Sequence, residues 1–374
     1  MKLRLFFVCC LYITICLTAS ACGDQLYLEN AATPLALGMD LDKNEKFHFY
    51  SSAPVFSKNI KKKSQETSGS ANSLRQSKAI QDSQSSGSIQ GRNYQVILLG
   101  RHFLSYEDWF PMLDVLFRDA RNTVTDRVIA VDGSLEEVFS LNPPDQPLLP
   151  ILLRGMVDTK SIKSETYATT AQEFHRQFYD KGLTPYIAEV KIVNNQVRLK
   201  GSALLNQKGK YELSLGPQET ILLSILQKQA APGFSLSYPI PGEPVNGPFE
   251  TNILSLTGAK VKTKIKTTYE NNKFKFDIHV KTRVGLSEHL FPFNVEKDDT
   301  KLEKQVAVLM QEQFTSIIEK LQKHKIDPIG LGVYARAKEY EKFCKVEDRW
   351  GETFANAEVR VKVDLEITSM GPVK

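Results

Sequence analysis

Cysteine is almost missing from the body of this chain. Of the five cysteines, Cys9, Cys10, Cys16 and Cys22 crowd the first 22 residues, and only Cys344 lies deeper. A disulfide-stapled scaffold is therefore excluded, and the fold must be held by packing, which 374 residues amply allow. Cys344 stands without any His-bearing motif and reads as a small buried apolar residue rather than a nucleophile. Histidine is scarce too. The six, at positions 48, 102, 175, 279, 289 and 324, show no HExxH or Cys/His spacing, so neither a metal nor another cofactor is expected. There is no Gly-x-Ser-x-Gly elbow and no Walker loop. Charge of one sign is also in short supply. The 48 Lys+Arg against 43 Asp+Glu leave only +5, and Lys2 and Arg4 supply two of those charges, so nucleic acid is not expected as a partner. Past Leu17 no long apolar run occurs, which excludes a multi-span membrane protein, and no internal repeat is found.

What the first 22 residues do contain is a secretory layout. Lys2 and Arg4 form a cationic start, Leu5 to Leu17 is a nearly pure apolar run, and Thr18-Ala19-Ser20-Ala21 supplies small residues at a cut site. The run is shorter than the roughly 20 residues that span a bilayer comfortably. Ala19, Ser20 and Ala21 directly before Cys22 resemble the lipobox of bacterial lipoproteins, although Leu is commoner where Ala19 stands. That resemblance implies cleavage before Cys22, a diacylglyceryl thioether on its sulfur and a further acyl chain on the new amino terminus. Two or more chains suffice for stable anchoring, whereas one is marginal. The alternative is an ordinary secretory cut that leaves Cys22 a plain thiol.

The body reads as α+β, with hairpins alternating with single helices in several domains rather than a doubly wound parallel sheet. Strands are predicted at Ala36 to Asp42 and Lys46 to Val55. The 36 residues from Ser57 to Arg92 hold ten serines and almost no apolar pattern, so they are expected to form a mobile loop with one short helix from Asn72 to Ser83. A strand at Tyr94 to Leu99 follows, then a helix from Ser105 carrying Trp109, Met112, Leu113, Leu116 and Phe117. Ser134 with Glu137, and Thr170 with Glu173, are capping boxes. Asn194-Asn195 and Asn271-Asn272 are two-residue hairpin signals. Pro217 opens a helix, and the five prolines of 231–248 mark a connector. Asp299 to Lys325 is an amphipathic helix, and Glu358 to Ile367 alternates apolar with charged residues at every step.

Three patterns with a chemical look have simpler readings. Asp40-Leu-Asp42-Lys-Asn44 begins like a calcium loop, but Glu45 and Ser51 occupy the positions that need Gly and Glu, so a turn is expected. Gly330-Leu-Gly332 mimics a dinucleotide fingerprint, but it follows the polar end of a helix instead of a buried strand. Lys260, Lys262, Lys264 and Lys266 recur at period two, which puts all four on one strand face. They read either as contact with anionic lipid or an acidic partner, or, preferred here, as lysines that guard an exposed strand from aggregation. Lys61-Lys62-Lys63 has the same two readings.

Taken in order, the secretory signal, Gly38-Met-Asp40-Leu-Asp42, the strand and helix of Val96 to Asp119, Val197-Arg-Leu-Lys-Gly201-Ser-Ala-Leu-Leu, Leu215-Gly-Pro-Gln-Glu219-Thr, Asp327-Pro-Ile-Gly330-Leu-Gly332, Trp350-Gly-Glu-Thr-Phe354 and the alternating strand to Gly371 resemble the Ger(x)C family, the lipoprotein C subunits of spore germinant receptors. The resemblance implies a signal peptide at 1–21, an N-terminal domain at 23–194 containing the Ser-rich loop 57–92, and a C-terminal domain at 195–374 subdivided near 231–248. It implies sheets flanked by helices. It implies a body anchored through acylated Cys22 to membrane lipid on the outer face of the spore inner membrane, and assembly with integral membrane A and B subunits that sense nutrients. It implies a receptor function without catalysis. Asp327, Gly330, Gly332, Trp350 and Phe354 match family positions and are expected to serve packing and turns. A solute-binding lipoprotein of a transport system is the alternative. It would need repeated βαβ lobes that the sequence lacks.

Overall fold

The architecture follows from two sheets that differ in how they are covered. The computed structural model describes residue 4 and residues 31–56, 61–85, 87–90, 93–120, 122–141, 146–292 and 295–369. Strands β2 (Ala36–Leu41), β3 (Phe47–Pro54), β4 (Ser64–Ser70), β6 (Val96–Gly100), β7 (Arg127–Asp132), β8 (Tyr186–Val193), β9 (Gln196–Leu205) and β10 (Tyr211–Leu215) form one eight-stranded sheet. Its order is β10-β9-β8-β7-β6-β2-β3-β4. The four central strands are parallel, and each edge carries two antiparallel strands, so the sheet is mixed. A two-residue parallel bridge joins β1 (Ala31–Ala32) to β5 (Ser88–Ile89).

Both faces of this sheet are packed, so its central strands carry runs of adjacent apolar residues, such as Val96 to Leu99 and Val128 to Val131. Leu37, Met39, Ile97, Leu99 and Ile187 meet Trp109, Phe110 and Phe174 on one side. Ala36, Val96, Leu98, Ile129 and Val190 meet Phe139, Leu153 and Val157 on the other. A Cβ at Gly38 would stand 2.6 Å from the Phe139 ring, so glycine lets that ring approach the strand closely.

The second sheet has the order β11 (Ser235–Pro239), β12 (Ile253–Glu270), β13 (Lys273–His289), β14 (Glu358–Ser369). Asn271 and Asn272, at φ 52° and 59°, make the tight turn between the two long strands. The helix Val295–Lys323 covers one face with Leu302, Val306, Met310, Phe314, Ile317 and Leu321. It also protects the β14 edge, because Glu303 Oε1 accepts from the Ile367 amide at 2.7 Å. The other face is wet.

Four expectations are corrected. The Ser-rich stretch is not a loop from 61 onward. Residues 64–70 pair antiparallel with β3, and the helix Leu74–Gln84 follows, capped by Ser73. The Gln84 amide accepts from Ser68 N and donates to Ser68 O, which stands in for the missing neighbour strand. Residues 57–60, 86, 91 and 92 lie outside the described residues. The helix expected from Ser105 is broken into 3-10 turns at Phe103–Ser105 and Phe110–Leu113 and a short α-helix at Asp114–Arg118. Asp108, at φ 58°, interrupts it and donates its amide to Lys208 O. The connector at 231–248 contains β11, whose Leu236 and Tyr238 are buried. Cys344 is exposed and free, because neighbouring Phe343 takes the core position.

The Asn194-Asn195 turn joins β8 to β9 inside the eight-stranded sheet. The core continues across it, since Tyr167, Tyr186, Leu204 and Leu215 belong to the same apolar cluster as Phe276, Phe314 and Trp350.

Candidate functional site

Cys22 and the residues before it, Ala19, Ser20 and Ala21, lie outside the described residues. The structure instead draws attention to three polar clusters within the body.

The first sits where the two sheets meet. After the long helix ends, Asp327 turns its fully buried carboxylate inward. Oδ1 accepts from Gly330 N at 2.9 Å, and Oδ2 accepts from Gly332 N and from Trp350 Nε1, both at 2.8 Å. Burial pushes the Asp327 carboxyl up to about 6, while the Trp350 and backbone N–H groups pull the other way. Its carbonyl accepts from Thr184 N at 3.0 Å, which ties in the segment before β8. Gly330 adopts φ 80°, and a Cβ on Gly332 would stand 2.7 Å from Gly182 Cα, so both glycines of the motif serve close approach. Asp180 with Arg336, and Lys181 with Glu347, add ion pairs across the same seam. Asp327, Gly330, Gly332 and Trp350 are thus brought together as one structural knot, and Phe354 is buried in the adjoining core.

The second is a cavity of about 220 Å³ beside that seam, lined by Ser164, Thr166, Tyr167, Thr169, Tyr186 and Ser224 among others. Tyr167 OH donates to Gln227 Oε1 at 2.9 Å and accepts from Ser224 Oγ at 3.2 Å. Burial raises both the Tyr167 and Tyr186 phenols above their ordinary range, so they remain protonated donors.

The third is a charge clamp in the eight-stranded sheet. Glu189 is fully buried on β8. It accepts from Tyr211 OH at 2.8 Å, from Ser214 Oγ, and from Lys200 Nζ at 3.2 Å. Lys200 also donates to Asp132 at 2.8 Å. Burial alone would lower the Lys200 ammonium, but Asp132 and Glu189 outweigh it and raise it. Nearby, Asp40 accepts from Phe103 N at 3.0 Å against Gly100, where any Cβ would collide with it. These groups satisfy one another, as a clamp between strands requires. Sequence reasoning passed over Glu189 and Lys200. The signal for Glu189 was a charge inside an otherwise apolar run, Tyr186-Ile-Ala-Glu189-Val, whereas Lys200 stands among the alternating polar residues of β9.

Of the stretch Asp40 to Asn44, Asp40 and Leu41 end β2 and the rest makes the β2–β3 turn, with Asp42 Oδ1 accepting from Asn44 N at 2.8 Å and Lys46 N at 3.0 Å. Gly330 caps the helix Leu331–Lys338, and it follows a helix rather than a strand. Among the described residues no group of His, Cys, Asp and Glu could hold a metal, and no helix is long and apolar enough to cross a membrane.

Comparison with known proteins bears on both halves. Residues 200–371 match the family model "Spore germination B3/GerAC like, C-terminal", and residues 24–192 match "Spore germination protein N-terminal domain". The chain is similar to spore germination protein B3 of Bacillus subtilis (strain 168), with 24% identity over 298 positions, covering 76% of this chain and 75% of the relative. It is also similar to spore germination protein A3 of the same organism, with 22% identity over 389 positions, covering 99% and 98%. Among solved structures, the crystal structure of the GerBC protein shares the fold at a TM-score of 0.56 and 19% identity, covering 88% of this chain and 96% of that one.

Proposed function

The chain belongs to the Ger(x)C, or GerAC-like, family of spore germination proteins, and from that premise we propose that it is the lipid-anchored, non-enzymatic C subunit of a nutrient germinant receptor. The observation that carries the reading is the match of both family models, which together run from residue 24 to residue 371. The small residues before Cys22 support the anchor. In this reading Cys22 bears the acyl chains and the body lies on the outer face of the spore inner membrane. Tethering raises its effective concentration beside the integral A and B subunits. The polar clusters suit a scaffold, since the charges of the first and third hold a seam and neighbouring strands together. The transporter reading gains nothing from the fold, because Tyr186, Leu204 and Leu215 of the first sheet pack into the core of the second, where a solute-binding protein would need two hinged lobes.

The test is the Cys22→Ala variant in spores. The body is expected to move from the membrane to the soluble fraction, with germination by nutrients lost. A soluble variant that germinates at the wild-type rate, or one that stays membrane-bound, would remove the reading.

A further inference from the structure

The wet face of the four-stranded sheet carries a charge pattern that packing does not explain. In register, β12 places Lys260, Lys262, Lys264 and Lys266 on this face, all exposed. Across from them β13 places Lys273, Lys275, Lys281 and Arg283, and β14 adds Arg360 and Lys362. The acids on the same stretch are Glu270, Asp277, Glu358, Asp364 and Glu366. Ten cations thus face five anions. That is a net +5 on three strands, while residues 22–374 as a whole carry only +3, so the remainder of that body is net negative by two.

The pairing is uneven. Glu366 holds Arg283 at 2.8 Å, and Asp364 lies 2.7 Å from His279 and 3.5 Å from Lys281. Glu270 holds Lys275 at 2.9 Å, and Glu358 pairs with Arg360 and Lys275. Lys260, Lys262, Lys264 and Lys266 make no ion pair among the described residues. They form a row about 20 Å long, at roughly 3.4 Å per residue. Guarding a strand edge requires a lysine or two, not a net excess of five cations gathered on three adjacent strands.

We propose that this face docks on an anionic lipid surface, with the four lysines of β12 as its main contacts. The inference rests on the anchor reading only for bringing the body to the bilayer. The side chains on this face are charged or polar, with no apolar anchor among the described residues, which suits a plane of diffuse phosphate charge better than a folded protein partner. Lysine suits it as well, being a flexible point charge where arginine would favour fixed bidentate partners.

The experiment uses residues 22–374 with Cys22→Ser, so that no acyl chain contributes. Every described strand and helix from β1 onward is retained. Binding is measured to phosphatidylglycerol-containing vesicles and to pure phosphatidylcholine vesicles. The chain is expected to bind the former, to ignore the latter, and to be released by salt. Lys260→Gln, Lys262→Gln, Lys264→Gln and Lys266→Gln together should weaken binding by about two to three orders of magnitude, at roughly fivefold per lysine. The same change at Lys43, Lys46, Lys61 and Lys208, which are exposed on the other half, removes equal charge and should have little effect. Equal loss in both variants, no loss in the first, or binding to acidic receptor segments but not to vesicles would each overturn the proposal. Salt sensitivity of the unsubstituted chain keeps the test valid should the first variant misfold. Because no acyl group is present, failure here leaves the Cys22 reading standing, and failure of that reading leaves this result standing.

Discussion

In the eight-stranded sheet neighbouring residues Leu98 and Leu99 are both fully buried, because helices lie on either face. In the four-stranded sheet Val363 is buried beneath the long helix, while its neighbour Lys362 is exposed. The same contrast governs charge. The first sheet admits Glu189 only with three donors around it, whereas the second displays fifteen charged residues on one open face. One sheet is a scaffold. The other is a scaffold on one side and a surface on the other.

The largest effect that would break this contrast is a core truncation. Leu98→Ala should cost about 3–5 kcal/mol, the range for a fully buried leucine whose surroundings collapse poorly. Val361→Ala on the half-covered β14 should cost about 1 kcal/mol. Urea denaturation of the two variants measures both. Equal costs would mean that the helix packs the covered face of the second sheet as tightly as the interior of the first.

The next tests charge. Glu189→Ala strands Tyr211, Ser214 and Lys200 in a buried site and should cost about 2–4 kcal/mol. Glu366→Ala removes an exposed ion pair with Arg283 and should change stability by less than about 1 kcal/mol. If Glu189→Ala were as mild as Glu366→Ala, the buried clamp would contribute no more than a surface pair.

How much of this was legible depended on whether the signal was local. The caps at Ser134 and Thr170, the turns at Asn194-Asn195 and Asn271-Asn272, and the alternation of 358–367 each depend on residues a few places apart, and each is where the pattern put it. β4 was not legible. A serine-rich segment becomes a strand only because β3 offers it an edge and Gln84 closes the other side. The same holds for β11, hidden among prolines until β12 pairs with it. The lysine row was legible, but the cations of β13 and β14 beside it were not, since register lies outside a one-dimensional pattern. Of the candidate site, the Asp327 motif was visible as turns and packing, while its grip on the segment at 182–184 needed the tertiary fold.

That grip supplies the smallest and most discriminating effect, at the seam between the sheets. The Asp327 carboxyl stands at about 6 in the folded chain against 3.8 when unfolded. Between those values the folded state binds a proton that the unfolded state does not, so stability rises as pH falls through 6 and stops rising below 3.8. From pH 7 to pH 5 the gain is about 1 kcal/mol. Asp364 and Glu358, on the open sheet, have carboxyls held below their ordinary range, Asp364 by His279 and Glu358 by Arg360, so they act in the opposite sense as acid is added. Asp126 is raised by burial and acts in the same sense as Asp327, so the wild-type profile alone does not isolate the seam. Asp327→Asn does. The variant keeps the shape but has no proton to take up, and its stability gain from pH 7 to pH 5 should be smaller than the wild type's by that 1 kcal/mol. The competing force is the set of N–H groups from Gly330, Gly332 and Trp350, all of which favour the anion. If they outweighed burial, the difference between the two profiles would change sign, and the seam would be held by an ordinary paired carboxylate of the kind seen on the open sheet.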